Sequence, residues 1–181
     1  MTCPKSLWLM TGVLFAAAVP APVSAMTIEQ AYAAIPHKRP VFEFAIARLS
    51  PDEAPYLKEL FTVIDLAVKE RVETLAWLQS RGSQGENFDQ YDEIIWRLQS
   101  LQVPQRLQPV HQLVTEAIQD QRDVLRSWRA SPQAVSMSHP LVQGSSQKLH
   151  QAYGDVIRLY RTDHPKNQEA FYNYFCCLDF L

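Results

Sequence analysis

The sequence predicts an all-α protein, built as an antiparallel bundle of about four main helices with short flanking helices. Apolar residues recur at spacings of three and four along most of the chain, which is the period of an α-helix. The chain has only 5 glycines and no Asn-Gly or Asp-Gly dipeptide, so β-hairpins have little support. Prolines and capping residues divide the apolar stripes into segments of helix length.

Residues 1–25 match a cleaved secretory signal peptide. Lys5 supplies a small positive region, an uncharged apolar run extends from Leu7 to Val19, and Val23-Ser24-Ala25 fits the small-x-small cleavage rule. The apolar run is shorter than the roughly 20 residues that span a bilayer. We therefore expect residues 26–181 to form one helical-bundle domain, in a bacterial periplasm or outside the cell, with no transmembrane span after cleavage.

Two short helical pieces are expected before the main bundle. Thr27, with Gln30 three residues later, fits a capping box at the start of the first piece. Pro36 and Pro40 then interrupt that helix, because proline lacks the backbone N–H that a helix interior needs. The second piece is predicted from about Val41 to Leu49.

The first long helix is predicted to begin within Ser50-Pro51-Asp52-Glu53, which supplies capping residues, an early proline and acids for the first turn. Either Ser50 or Asp52 serves as the cap. With Asp52 in that role, Pro55 falls in the first turn, where proline is tolerated. The helix should end at Gly82-Ser83-Gln84-Gly85. Its apolar stripe comprises Leu57, Leu60, Phe61, Ile64, Val68, Val72, Leu75 and Leu78.

Three more main helices and a final helix follow. The first is predicted over Asp89–Leu101, and the second carries an apolar stripe from Val110 to Trp128. Ser138-His139-Pro140 opens the third and His164-Pro165 ends it, so both histidines are interpreted as helix-boundary residues. Asn167 is predicted to cap the final helix, which runs almost to residue 181.

Composition excludes two classes of protein. The formal net charge is −2, or −3 once Lys5 leaves with the signal, and the basic residues are dispersed from Lys38 to Lys166. A near-neutral chain without a basic stripe is not expected to bind nucleic acid. Only Cys176 and Cys177 remain after cleavage, so this is not a disulfide-stapled scaffold and the apolar core must hold the fold.

No sequence motif identifies a reaction or a cofactor. The chain lacks the Cys-x-x-Cys-His of covalent haem attachment, the Glu-x-x-His pairs of di-iron bundles and the His-Glu-x-x-His of zinc proteases. It also lacks Gly-x-Ser-x-Gly, a phosphate-binding loop and a dinucleotide-binding glycine pattern. Catalysis is therefore unsupported, and no cofactor is firmly implied.

Five residues are candidate metal ligands. His37, His111 and His150 form a three-nitrogen site if the bundle brings them together, although packed, hydrogen-bonded histidines explain the same pattern. Cys176 and Cys177 are candidates for soft-metal capture, redox sensing or an intermolecular disulfide. Adjacent helical side chains point about 100° apart, so a disulfide between these two would be strained. We favour the interpretation that both act as small hydrophobic residues in a buried helix.

Five other residues are candidates for binding a partner. Phe171, Tyr174 and Phe175 belong to an aromatic C-terminal segment that either closes the core or, if exposed, receives a protein or an acyl group. Lys38 and Arg39 lie in a stiff basic loop between two prolines. That loop is a candidate for holding an anion or a carboxylate, and an exposed connector is the simpler explanation.

Asp179 is the acidic residue of the aromatic C-terminal segment. A carboxylate among apolar neighbours needs a cationic partner. Arg39 and Arg71 are the candidates for that partner, in a pair with a purely structural role.

The leading functional hypothesis is a non-catalytic periplasmic or secreted binding or accessory protein. Its ligand is a protein, a peptide or a small apolar molecule bound between helices, and an exposed apolar groove near residues 171–180 would support it. The alternative is a metal-binding or redox bundle, which requires at least three of His37, His111, His150, Cys176 and Cys177 to converge. An enzyme without a recognisable motif would instead need a concave pocket with paired titratable groups.

Overall fold

The computed structural model describes residues 41–79, 89–130, 136 and 138–180. Within these ranges the chain forms five α-helices and no β-strand, which confirms the all-α bundle. The helices are α1 (Glu53–Gln79), α2 (Asp89–Gln99), α3 (Gln108–Ala130), α4 (Pro140–Leu159) and α5 (Pro165–Leu178), and a 3-10 turn (Gln105–Leu107) precedes α3. None of them combines the length and apolarity needed to cross a bilayer. The expected signal peptide, the first short helical piece and the His37-Lys38-Arg39 loop lie outside the described residues.

The start of α1 follows the expected capping chemistry. The Glu53 carboxylate accepts a hydrogen bond from the backbone N–H of Ser50 at 2.9 Å, as the glutamate of a capping box does. Because the helix begins at Glu53, Pro55 lies in the first turn. Its missing N–H therefore removes no intrahelical hydrogen bond.

Two His-Pro pairs begin α4 and α5. His139 and His164 are the N-caps, and each imidazole accepts a hydrogen bond at 3.3 Å from the backbone N–H two residues later, at Leu141 and Lys166. The proline of each pair occupies the first helical position, which tolerates it. The prediction of Asn167 as the cap of the last helix is wrong, because that residue lies inside the first turn of α5.

The helix expected from Val41 to Leu49 is not formed, and the segment contains only a turn. The Asn167 side chain forms hydrogen bonds with the backbone of this segment. Its oxygen accepts from the Glu43 N–H at 2.9 Å, and its amide donates to the Glu43 carbonyl at 3.3 Å. Phe42 is 3% exposed and its ring centroid lies 5.1 Å from that of Phe171. Tertiary contacts therefore replace the marginal stability of a short helix.

Antiparallel packing of α3 and α4 forms the most extensive helix interface. The Lys148 ammonium in α4 lies 2.6 Å from an Asp120 carboxylate oxygen in the middle of α3. The Arg106 guanidinium, just before α3, donates to the carbonyl of Leu159 at the end of α4. Helix α5 packs back on α4, and α1 closes the bundle against α2, α3 and α5. The largest fully buried apolar side chains are Leu57, Leu60, Ile64, Tyr91, Leu98, Leu107, Ile118, Leu125, Leu149, Phe171 and Leu178.

Candidate functional site

An open groove lies between α4 and the C-terminal half of α5. We call it the α4–α5 groove, and its volume is about 250 Å³. It is lined by Leu149, His150, Tyr153, Tyr172, Phe175, Cys176 and Asp179. The helical period explains this set, because residues three and four apart share one face of a helix. Positions 172, 175, 176 and 179 on one side therefore face positions 149, 150 and 153 on the other.

Aromatic rings form the walls of the groove. The ring centroids of Tyr153 and Tyr172 are 5.6 Å apart with an interplanar angle of 71°, an edge-to-face pair. The rings of Tyr153 and Phe175 are 6.5 Å apart. Phe175 is 2% exposed, whereas Tyr172 is 47% exposed. The groove therefore has a buried apolar floor and a solvent-accessible aromatic rim.

One end of the groove carries a carboxylate. The Asp179 side chain is 5% exposed, and one of its oxygens lies 2.8 Å from the Ser146 hydroxyl and 3.2 Å from the His150 imidazole. The aspartate stands between the serine and the histidine. In a Ser-His-Asp triad the histidine is in the middle and takes the serine proton. Here the Ser146 hydroxyl donates to the carboxylate and not to the imidazole, so the three groups do not have the order of that triad.

Arg71 of α1 anchors the end of α5. Its guanidinium is buried and donates to the carbonyls of Cys177 at 2.6 Å, Leu178 at 2.7 Å and Asp179. Gln121 of α3 donates to the same Leu178 carbonyl at 2.6 Å. The last carbonyls of a helix have no intrahelical partner, so these side chains satisfy them. Arg71 was an expected partner of Asp179, and the structure shows it bonded to the main chain of that residue.

The two neighbouring cysteines have different environments. Cys177 is 7% exposed and packs in the core, while Cys176 is exposed on the groove. The interpretation that both are buried hydrophobic residues is therefore wrong for Cys176. A hydrogen bond between Cys176 and the Tyr172 hydroxyl, one turn earlier in α5, raises the pKa of Tyr172. The helical turn thus gives the groove rim a thiol and a phenol side by side.

His111 is a packed residue at the start of α3. Its ring nitrogen Nδ1 lies 3.3 Å from the Tyr56 hydroxyl, and the two rings meet edge to face. Burial lowers the pKa of His111, because a charged imidazole loses its hydration there. The hydroxyl and the imidazole satisfy each other, as expected for a half-buried polar pair.

The candidate metal ligands do not gather in the part of the chain that the structure describes. No group of three or more His, Cys, Asp or Glu side chains has the arrangement of a metal site there. His150 and Cys176 share the α4–α5 groove, but His111 contacts Tyr56 and Cys177 faces the core. His37 lies outside the described residues, as do Lys38 and Arg39.

The three aromatic candidates for partner binding lie at different depths. Phe171 is fully buried and Phe175 forms the groove floor. Tyr174 is half-buried, with its ring stacked at 4.1 Å on that of Phe61 in α1. Only Phe175 of the three therefore lines the groove. Tyr153 and Tyr172 line the groove without being among the sequence candidates, although their one-turn spacing from His150 and Cys176 is a usable signal.

Two other surface depressions are lined mainly by charged or polar residue types. One, between α1 and α2, has Lys69, Glu70, Glu93 and Arg97 among its lining residues. The other is a shallow region around the 3-10 turn, lined mainly by polar residues and proline. Ligand pockets are predominantly apolar with a few placed polar groups, so the α4–α5 groove is the better candidate.

His111 should make the protein less stable in mild acid. The unfolded chain protonates this imidazole near its ordinary pKa of 6.5, whereas the folded protein resists protonation. The resulting loss of folding stability is absent above pH 6.5 and grows as the pH falls through that value. We expect the loss of unfolding free energy between pH 7.5 and 5.5 to be smaller in His111→Asn than in the parent protein. Urea unfolding at both pH values measures this loss of unfolding free energy. His164→Asn, at an exposed cap that asparagine can replace, controls for the loss of one imidazole, and equal losses in parent and His111→Asn would contradict the prediction.

Comparison with known proteins finds no family model, no curated protein and no solved structure that matches this chain.

Proposed function

We propose that this chain is a non-catalytic binding protein of the periplasm or extracellular space, and that the α4–α5 groove holds a small ligand with an apolar body. The single observation that carries the proposal is the groove itself: three aromatic rings and Leu149 around a volume of about 250 Å³, with polar groups at one end and on the rim. This composition is typical of small-molecule sites. The location rests on the signal-like pattern of residues 1–25.

The groove is built on rigid elements. Its side chains project from α4 and α5, which are held by the core and by the Arg71 contacts to the end of α5. A site carried by packed helices keeps its shape without a ligand, so little free energy is lost in ordering it. The proposal therefore requires no rearrangement of the backbone on binding.

The groove chemistry favours binding over catalysis. Asp179 lies between Ser146 and His150, which is not the order of a Ser-His-Asp triad. Cys176 is the one exposed thiol among the described cysteines, and Cys177 lies in the core. The alternative of a metal-binding or redox bundle therefore has less support from the described residues than ligand binding.

A titration of isotope-labelled protein with indole, a neutral aromatic probe, tests the proposal. We expect saturable shifts of the backbone amide signals of Tyr153, Tyr172 and Cys176. Cys176→Phe places a ring in the groove and should weaken indole binding by about 10-fold or more, since filling a pocket removes the ligand's apolar contacts. Glu59→Phe adds the same ring at an exposed position of α1 that does not line the groove, and should bind like the parent protein. Unchanged groove amides, or equal affinity in Cys176→Phe and the parent protein, would contradict the proposal.

A further inference from the structure

The permanent charge on the described walls of the α4–α5 groove is negative. Asp179 is the fixed acid, and none of the described residues that line the groove is a lysine or an arginine. The nearby Lys148 is directed to α3, 2.6 Å from Asp120 and 3.9 Å from Glu116. At the described walls of the groove an anionic ligand meets a carboxylate, whereas a cationic ligand meets complementary charge.

The aromatic rim also favours a positively charged ligand. The face of a phenol or phenyl ring carries negative potential and attracts a cation within about 6 Å of its centroid. Tyr153, Tyr172 and Phe175 supply three such rings to the groove that also holds the carboxylate. The fold uses this attraction elsewhere, because the Arg71 guanidinium lies 5.4 Å from the ring centroid of Phe180.

A nitrogen group already occupies the position opposite the carboxylate. The His150 Nε2 atom lies 3.2 Å from the Asp179 oxygen, while the His150 side chain is 76% exposed. A side chain with so few packing contacts rotates into solvent at low cost. The imidazole therefore occupies the position that we expect a nitrogen cation to take. It rotates away from the carboxylate when the ligand binds.

We propose that the α4–α5 groove binds a free organic cation with a methylated ammonium head, held by the Asp179 carboxylate and the rings of Tyr153, Tyr172 and Phe175. This inference rests on the proposed ligand-binding function. A primary ammonium has three N–H donors that all need acceptors, and the aromatic walls offer few. A methylated head has fewer donors and places its methyl groups against aromatic carbon. A phosphate-bearing headgroup fits less well, because the part of the groove lining that the structure describes holds neither lysine nor arginine.

Choline and its neutral isostere 3,3-dimethylbutan-1-ol provide the test. Both are titrated into the labelled protein while the groove amide signals are followed. We expect choline to bind about 10-fold tighter than the alcohol, because only the charge differs between them. Asp179→Asn should reduce this preference to about 3-fold or less and leave alcohol binding unchanged. Glu59→Gln, which removes an exposed charge of α1 outside the groove, should keep the full preference.

Tyr172 separates cation binding from simple apolar contact. Tyr172→Phe keeps the ring face and should retain the preference for choline, whereas Tyr172→Leu keeps apolar bulk and should lose most of it. This pair also decides the question if Asp179→Asn fails to fold, which circular dichroism would reveal. Phosphocholine should bind more weakly than choline, and equal or tighter binding would overturn the free cation as the ligand.

The outcomes separate the two proposals. Equal binding of choline and the alcohol at the groove would overturn the cation inference and leave the ligand-binding function standing. A choline preference that survives both Asp179→Asn and Tyr172→Leu would overturn the assigned residues. Absence of any groove response to choline, the alcohol and indole would overturn both proposals.

Discussion

Replacing Arg71 with methionine is expected to lower the free energy of unfolding by about 3–5 kcal/mol. The guanidinium is 8% exposed and donates to three consecutive carbonyls at the end of α5. Methionine fills similar space but donates nothing, so these carbonyls lose charge-assisted hydrogen bonds in a site with little water. A domain of this size is stable by only about 5–15 kcal/mol, so the loss is a large share of the total.

Urea unfolding followed by circular dichroism measures this effect. Lys69→Met is the matched control on the same helix: its ammonium is 54% exposed and lies 3.6 Å from Glu73. Exposed pairs of this kind contribute about 0–1 kcal/mol, so the control should differ little from the parent protein. Arg71→Lys should fall between them, because one ammonium cannot match the fork of a guanidinium across three carbonyls. Equal stability of Arg71→Met and Lys69→Met would show that the anchor contributes nothing.

Phe171→Ala is expected to destabilise the fold by about 3–5 kcal/mol, since removing a buried phenyl ring loses its burial and leaves a cavity. Phe171 is fully buried, and its ring stacks on Tyr160 at 5.3 Å. Its ring centroid lies 5.1 Å from that of Phe42 and 5.8 Å from that of Phe61. One side chain therefore joins α5 to α1, to the end of α4 and to the segment before α1.

Tyr172→Ala is the control for this substitution at the adjacent position of α5. Tyr172 is 47% exposed and makes an edge-to-face contact with Tyr153, so we expect a loss of about 1 kcal/mol or less. The midpoint of urea unfolding and its slope are measured for both variants. A Phe171→Ala loss no larger than that of Tyr172→Ala would contradict the central role of Phe171 in the core.

Sequence reasoning and structure agree best on the helices. The spacing of Leu57, Leu60 and Ile64 predicts the buried face of α1, and all three are buried. The predicted helix start at Ser138-His139-Pro140 agrees with the structure, whereas the cap of the last helix is His164 and not Asn167. The prediction failed over residues 41–49, because the partner that replaces the helix there, Asn167, is far away in sequence.

The groove depends on helix packing that local sequence patterns do not predict. The one-turn spacing of Tyr172 and Cys176 was visible in the sequence, and so was that of His150 and Tyr153. Neither spacing shows that the two helices face each other, because several bundle topologies are compatible with the same connections. Helical geometry also predicted that the two cysteines point in different directions, but only the packing of α5 decides that Cys176 is the exposed one.

The amino-acid pattern settles the all-α class, the principal helices and most of their ends, because helical period, capping and proline chemistry act over a few residues. Packing in three dimensions decides which helices are neighbours, where Arg71 is used and which side chains line the α4–α5 groove. Those outcomes depend on contacts between residues far apart in sequence, such as Arg71 with Cys177 and Ser146 with Asp179. A periodic pattern carries no information about such pairs, since complementary side-chain shape and charge select them only when the whole chain is packed.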